Sequence, residues 1–282
     1  RTIQYSNSKQ PATYCRNVGK RRRWEFAIKK NQSEKKILSN FYIWNFLKPW
    51  LKKNEAFIER KTIYTFKSAI SRKWKKGRIF IAGDAAHLMP PFMGQGMCAG
   101  IRDVSNLAWK IGKCLRNKHS EKILKTYQSE RFSNVKEYVE TTMRMGEFVN
   151  AVGSYKITDN ISSTNDGTKS MQSIKPKLGQ GLGNKTDKSR GNIFPQFKTR
   201  NGYYLDEKFS KNPILLLSPQ IKIKISKKLN STNSKNYVGL SNYFKISNSK
   251  AIIVRPDRFI LNSCSYSKNL NNFIKKNLFI LA

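Results

Sequence analysis

The residue types best suited to chemistry lie in one stretch, GRIFIAGDAAHLMPPFMGQGMCAGIRDVSNLAWKI, from Gly77 to Ile111. Asp84 follows an apolar run, where a carboxylate can accept hydrogen bonds from sugar or polyol hydroxyls. Gly94, Gln95, Gly96 and Met97 form a glycine-rich loop running into a helix. Glycines there let backbone N–H groups approach a ligand closely. The positive end of a helix favours an anion or an electron-rich ring. Pro90 and Pro91 stiffen the connection between the two devices. The stretch is a cofactor cradle with one acidic hook and one anion-stabilising helix end. His87 and Arg102 offer an acid or an anion partner. A structural histidine on a tight turn, and an arginine paired with Asp103 or another carboxylate, are the competing roles. No residue is assigned to catalysis.

These side chains need a strand, a turn and a helix to position them. Ile79, Phe80, Ile81 and Ala82 predict a short strand covered on both faces. Gly83 and Asp84 end it, and a helix is expected from near Met97. Met97, Ile101, Val104, Ala108, Ile111 and Leu115 recur at helical spacing as the apolar face, with Arg102, Asp103, Asn106 and Lys110 opposite.

The stretch GDAAHLMPPFMGQGMCAGIRDVSNLAWKI resembles the second FAD-binding motif of the single-component FAD-dependent aromatic hydroxylases, of the 3-(3-hydroxyphenyl)propionate hydroxylase and phenol hydroxylase branch. The match is dense and therefore far more specific than a lone glycine motif. It implies that Asp84, of the Gly83–Asp84 pair, hydrogen-bonds the ribityl chain of FAD. It implies that the loop from Pro91 through Gly94, Gln95, Gly96 and Met97 lies along the flavin ring, the helix end facing the N1/C2 carbonyl edge. NAD(P)H then reduces FAD, and O2 is used to hydroxylate a phenolic aromatic acid. The family's glycine-rich pyrophosphate motif GxGxxG and its DG motif are absent from this chain, so the resemblance is to the later part of such an enzyme. The isolated chain is expected to bind FAD weakly or not at all.

The resemblance also implies an α/β (α+β) fold. Residues 1–76 would supply part of a substrate-domain sheet and a helix, and 77–150 the FAD-binding strand-loop-helix and the next helix. Residues 151–190, rich in Ser, Thr, Asn, Lys and Gly, read as a flexible linker. GNIFPQF, YYLDEKF and PILLLS within 191–282 resemble the family's thioredoxin-like carboxy-terminal domain, with a dimerising or pocket-covering role. There Ile214–Leu217 is expected as a buried strand, and AIIVRPDRFIL as a hairpin turning at Pro256, Asp257 and Arg258.

Elsewhere Trp24, Phe26 and Ile28 alternate as in a strand. Residues 34–52 read as a helix ended by Pro49, and 56–70 as an edge-like strand. The resemblance implies that a strand of this kind leads back into the FAD domain and that Tyr64 or Phe66 lines the aromatic pocket; packing in the sheet is the competing role. After the motif, Ser120 is expected to cap a helix carrying Leu124, Tyr127, Val135, Tyr138 and Met143. Glu130 and Arg131 read as surface ion-pairing residues.

The chain has 282 residues, a hydrophobic share of 38% and a formal net charge of +38. That charge suits nucleic acid or an anionic membrane. Spread through the chain rather than gathered in one arm, it reads instead as a lysine-biased solvated surface, with no specific nucleic acid expected. Cys15, Cys98, Cys114 and Cys264 form no CxxC pair, so neither a metal site nor thiol exchange is expected. Cys98 reads as a small buried thiol. No signal peptide or membrane-long apolar run is present, and the cysteines suit a reducing cytoplasm. The chain begins at Arg1, which suits a fragment or a processed product. The rival readings are another flavoprotein of the same fold, an inactive truncated relic and a basic nucleic-acid-binding protein.

Overall fold

In a computed structural model, the structure describes residues 2–5, 12–28, 31–116, 121–150, 161–163, 169–171, 174–208, 212–223 and 229–281. The elements run β1 (Thr2–Tyr5), β2 (Ala12–Arg16), β3 (Arg22–Phe26), α1 (Glu34–Ile37), α2 (Asn40–Leu47), β4 (Ala69–Ile70), β5 (Lys75–Lys76), β6 (Ile79–Phe80) and β7 (His87–Leu88). After these come α3 (Gln95–Arg116), α4 (Glu121–Leu124), α5 (Thr126–Asn150), β8 (Ile161–Ser163) and β9 (Lys169–Met171). The last are β10 (Ile214–Leu217), β11 (Ser231–Asn233), α6 (Leu240–Ile246), β12 (Ala251–Val254), β13 (Ile260–Cys264) and α7 (Leu270–Leu281). Contacts divide the chain into two compact units. One holds Arg1–Ser68, Met89–Met93 and Glu140–Ser173; the other holds Ala69–Leu88, Gly94–Val139 and Ile174–Ala282. The contact boundaries therefore differ from those expected at 76, 150 and 190.

In the first unit, β1, β2 and β3 form an antiparallel sheet. Strand alternation puts Trp24 and Phe26 on one face. Trp24 lies 4.9 Å from Tyr14 and 4.7 Å from Trp50, and Phe26 lies 5.1 Å from Phe46, ring centre to ring centre. The helix expected over 34–52 is two helices. Ser39 accepts from the Tyr42 N–H and so caps α2, and α2 stops at Leu47, before Pro49. The strand expected over 56–70 is confined to Ala69–Ile70. Among the described residues nothing pairs with 56–68, so the alternation there is not used by a ladder.

In the second unit, β6 pairs with β5 and β4 with β7, two separate ribbons. The strand expected over Ile79–Ala82 is shorter and is not covered on both faces. Ile79 is 71% exposed, because a two-stranded ribbon supplies no second layer. Trp74 anchors this region: its indole N–H donates to the Ser71 carbonyl and its backbone N–H to Gln128 Oε1. The α3 helix is oriented opposite to expectation. Met97, Ile101, Val104 and Leu115 are exposed, whereas Asp103, Asn106, Trp109, Lys110 and Lys113 are buried. Cys98 is half-buried.

Beyond α5 the structure departs from a flexible linker. Residues 151–160, 164–168 and 172–173 lie outside the described residues, as does Ser120. Residues 174–190 pack closely on α5. The Gly179 N–H donates to the Glu130 carbonyl at 2.8 Å, and a Cβ on Gly179 would stand 2.2 Å from the Ser129 carbonyl oxygen. The glycines are there for backbone approach, and the segment holds no phosphate loop. Strands β11, β10, β12 and β13 then form a sheet in that order, with β10 and β11 parallel and the other pairs antiparallel. Ile214, Leu216, Ile252 and Val254 pack with Phe194, Leu240 and Phe244. Leu215, Ile253 and Leu261 pack with Leu270. The expected buried strand and hairpin are both present.

Candidate functional site

The acid turn and the helix start meet through glycine. Gly83, Asp84 and Ala85 form a single 3-10 turn, and Gly83 has φ +58°, in the region that favours glycine. The turn packs on α3. A Cβ on Gly100 would stand 3.3 Å from Gly83 Cα, so the close approach depends on glycine at both positions. Asp84 is exposed and makes no side-chain hydrogen bond among the described residues. Gly94, φ +61°, turns the chain into α3, which begins at Gln95, slightly ahead of the expected Met97. No acidic side chain lies in the first turn of α3, so its positive end is not neutralised from within. Met97 is exposed and Gly96 half-buried. Pro91 opens the 3-10 turn Pro91–Met93, which belongs to the first unit. The structure thus gathers Gly83, Asp84, Gly94, Gln95, Gly96 and Met97 in one unit, and Pro91 falls in the other.

Beneath the turn lies a buried charge nest that the sequence did not reveal. Asp103 Oδ2 accepts from the Gly83 N–H at 3.1 Å and meets His87 Nε2 at 2.6 Å. Asp103 Oδ1 accepts from Arg131 Nε at 2.7 Å. Arg131 also donates to Asn134 Oδ1 at 2.6 Å. Asp103, Arg131 and Asn134 are almost wholly buried. Burial pushes the Asp103 carboxyl up, but the His87 hydrogen bond and the Arg131 charge outweigh it and hold the carboxyl below its ordinary range. Asp103 therefore fastens the hook's turn to α3. Arg102 does not pair with Asp103. It donates to Gln95 Oε1 at 3.3 Å and lies 5.2 Å from the Tyr138 ring centre. His87 is the structural histidine of the two readings, buried behind the turn.

A second nest sits further along the same helix. Glu130 Oε2 accepts from Lys110 Nζ at 2.8 Å, Asn106 Nδ2 at 3.0 Å and Arg255 Nη2 at 2.8 Å. Glu130 Oε1 accepts from the Leu182 N–H at 2.8 Å. Arg255 also donates to both Asp257 oxygens, at 2.9 and 2.6 Å. Burial raises the Glu130 carboxyl, but Arg255 and Lys110 prevail and bring it down to about 2. Burial lowers Lys110 to about 8 against the pull of Glu130. Glu130 and Arg131, expected on the surface, are buried because partners from α3 and the carboxy-terminal hairpin satisfy them. The available signal was the spacing of Asp103, Asn106 and Lys110, one polar stripe facing the adjacent Glu130–Arg131 pair.

Known proteins resemble this chain over part of its length or in fold. The family model described as FAD binding domain matches residues 24–142. A probable NADH-specific resorcinol 4-hydroxylase of Rhodococcus jostii (strain RHA1) is 38% identical over 131 residues, 46% of this chain and 24% of that protein. A 3-(3-hydroxy-phenyl)propionate/3-hydroxycinnamic acid hydroxylase of Burkholderia vietnamiensis (strain G4 / LMG 22486) is 37% identical over 126 residues, 44% of this chain and 23% of that protein. The match thus spans about a quarter of these curated relatives' length. Among solved structures, aklavinone-11 hydroxylase, in complex with FAD and aklavinone, aligns with TM-score 0.67 and 16% identity over 99% of this chain and 58% of its own. The flavin-dependent monooxygenase PieE aligns with TM-score 0.60 and 13% identity over 98% of this chain and 60% of its own. The fold is thus the α/β fold of the flavin-dependent hydroxylases. Residues 24–142 thus match the FAD binding domain model, and the chain is similar over 126–131 residues to curated aromatic hydroxylases.

Proposed function

We propose that this chain contributes the flavin-ring and ribityl cradle of an FAD-dependent monooxygenase that hydroxylates a phenolic aromatic acid such as 3-(3-hydroxyphenyl)propionate, with NAD(P)H and O2 as co-substrates. The observation that carries this is the Gly83–Ala85 turn seated on α3 through the Gly83–Gly100 approach, with Asp84 exposed. The residues fit a flavin: an exposed carboxylate to accept from ribityl hydroxyls, and a helix start with no acid of its own. Gly83, Asp84, Gly94, Gln95, Gly96 and Met97 would hold the cofactor, with Pro91 along its ring. When bound, the flavin supplies the electron and oxygen transfer. Asp84 orients the polyol, and the amides opening α3 stabilise negative charge on the ring edge. Asp103 holds the turn in place through the Gly83 N–H. His87 is kept from solvent and moves no proton in this reading.

The same proposal places the protein in the cytoplasm. Among the described residues no helix is long and apolar enough to cross a membrane, and no cluster of ligating side chains could hold a metal. The order and directions of β11, β10, β12 and β13 support a thioredoxin-like carboxy-terminal domain, which would dimerise the enzyme or cover its pocket. The basic surface is taken as solvated rather than as a specific nucleic-acid site. The test joins this chain to an amino-terminal segment bearing a glycine-rich strand-turn-helix and follows NAD(P)H oxidation. Oxidation that quickens when 3-(3-hydroxyphenyl)propionate is added is the expected result. A product that takes up no flavin, or whose oxidation ignores every phenolic acid, contradicts it.

A further inference from the structure

The first unit carries a row of aromatic rings that the flavin cradle does not use. Tyr64 and Phe66 sit two residues apart in a segment outside regular structure. Their rings are within 4° of parallel, with centres 6.4 Å apart, and the residues are 66% and 52% exposed. Phe92 meets Phe66 edge-on at 6.2 Å. Phe92 is itself fixed, because a Cβ on Gly146 would come within 2.4 Å of its ring. The row is therefore braced at one end and open to a ligand at the other. Leaving such rings in water forgoes the stabilisation that burying a large apolar side chain contributes. Sheet packing, the other role considered for this pair, is absent, since no described strand includes either residue.

A cation stands beside the open end. Arg60 Nη2 lies 3.5 Å from the Tyr64 hydroxyl, to which it donates, and Arg60 makes no ion pair among the described residues. The same residue borders an open groove with Asn40, Trp44, Phe57, Ile58, Glu59 and Lys61, and Glu59 there is engaged by Arg21 at 2.8 Å. Exposed aromatic faces attract a planar ring, and an arginine without a carboxylate partner attracts an anionic group.

We propose that Tyr64, Phe66 and Arg60 form a binding site for an aromatic carboxylic acid. Its ring stacks on the two exposed faces, and its carboxylate pairs with Arg60. For the ligand's identity this rests on the hydroxylase reading, and it names residues that would recognise that substrate class. The test needs no bound flavin. The full chain is titrated with 3-(3-hydroxyphenyl)propionate, its amide and 3-cyclohexylpropionate by ligand-observed NMR, and FAD is titrated separately into the chain joined to a glycine-rich strand-turn-helix segment. The phenolic acid is expected to bind at least tenfold more tightly than the cyclohexyl acid. Tyr64→Ala and Phe66→Ala should each weaken it at least fivefold with unchanged melting. Tyr64→Leu, which keeps apolar bulk, should weaken it as well. Arg60→Gln should erase the preference for acid over amide. Aromatic-acid binding by the chain, with no FAD uptake by the chain joined to a glycine-rich strand-turn-helix segment, supports the site while removing the flavin reading. FAD uptake without saturable acid binding overturns the site and leaves the flavin reading intact. Equal binding of the cyclohexyl acid, or an indifferent Phe66→Ala, also overturns it. So does an oligothymidylate complex lost in the same variants, which would assign the rings to nucleic-acid stacking.

Discussion

At the residue scale, Asp84 on the Gly83–Ala85 turn and Asp103, which accepts from the Gly83 N–H, should behave oppositely. Asp84 is exposed, with no side-chain hydrogen bond among the described residues, so Asp84→Ala should alter unfolding free energy by under about 0.5 kcal/mol. Its effect should appear in flavin affinity, as the roughly 1.5–3 kcal/mol of a hydrogen bond to a charged acceptor. Asp103→Ala leaves the buried Arg131 guanidinium and the Gly83 N–H without their acceptor. It should cost roughly 3–5 kcal/mol of stability in urea unfolding. A Tm loss for Asp84→Ala equal to that for Asp103→Ala would remove the distinction between hook and fastener. Asp84 could be proposed from the sequence because hook and loop are close in the chain. Asp103 was not, because its partner Arg131 lies 28 residues away and no local pattern joins them.

At the scale of elements, the helix from Gln95 was legible in its spacing, but its buried face was not. Hydropathy places Met97, Ile101 and Val104 inside and Asp103, Asn106 and Lys110 outside. The structure reverses this because Glu130 and Arg131 on α5, and Asp257 in the hairpin turn, satisfy the polar stripe. Burial of charge follows where partners are, and partners separated by up to 151 residues are invisible to a local window. The segment after Pro176 was misjudged for a related reason. Its glycines lower apolar content, yet they allow close packing on α5. A Cβ on Gly181 would stand 2.3 Å from Glu130 Oε1, so Gly181→Ala should destabilise by about 1–3 kcal/mol in thermal or urea unfolding. An unchanged midpoint would show that the segment does not hold this position. By contrast, Ile214–Leu217 and the hairpin at Pro256 were readable, since each is specified by contiguous residues.

For the whole molecule, the two nests set the acid limit of stability. Glu130 holds its carboxyl at about 2, below the ~4.3 of an unfolded chain, and Asp103 is lowered as well. A depressed carboxylate stabilises the fold above its unfolded value and loses that contribution as pH falls through the folded one. Urea-derived stability should therefore be level above about pH 5 and decline towards about pH 2. Glu130→Gln should flatten part of that decline, and an identical slope in the variant would dissociate Glu130 from it. Function at this scale rests on whether the turn and helix start hold a flavin, because the pyrophosphate clamp of a dinucleotide fold is not among these residues. The most direct measurement is a fluorescence titration of FAD into this chain joined to a glycine-rich strand-turn-helix segment, beside its Asp84→Ala variant. Saturable uptake giving a yellow protein, weakened in the variant by the same roughly 1.5–3 kcal/mol, is the expected result. No uptake by the joined protein, or equal affinity in the variant, would contradict the cradle.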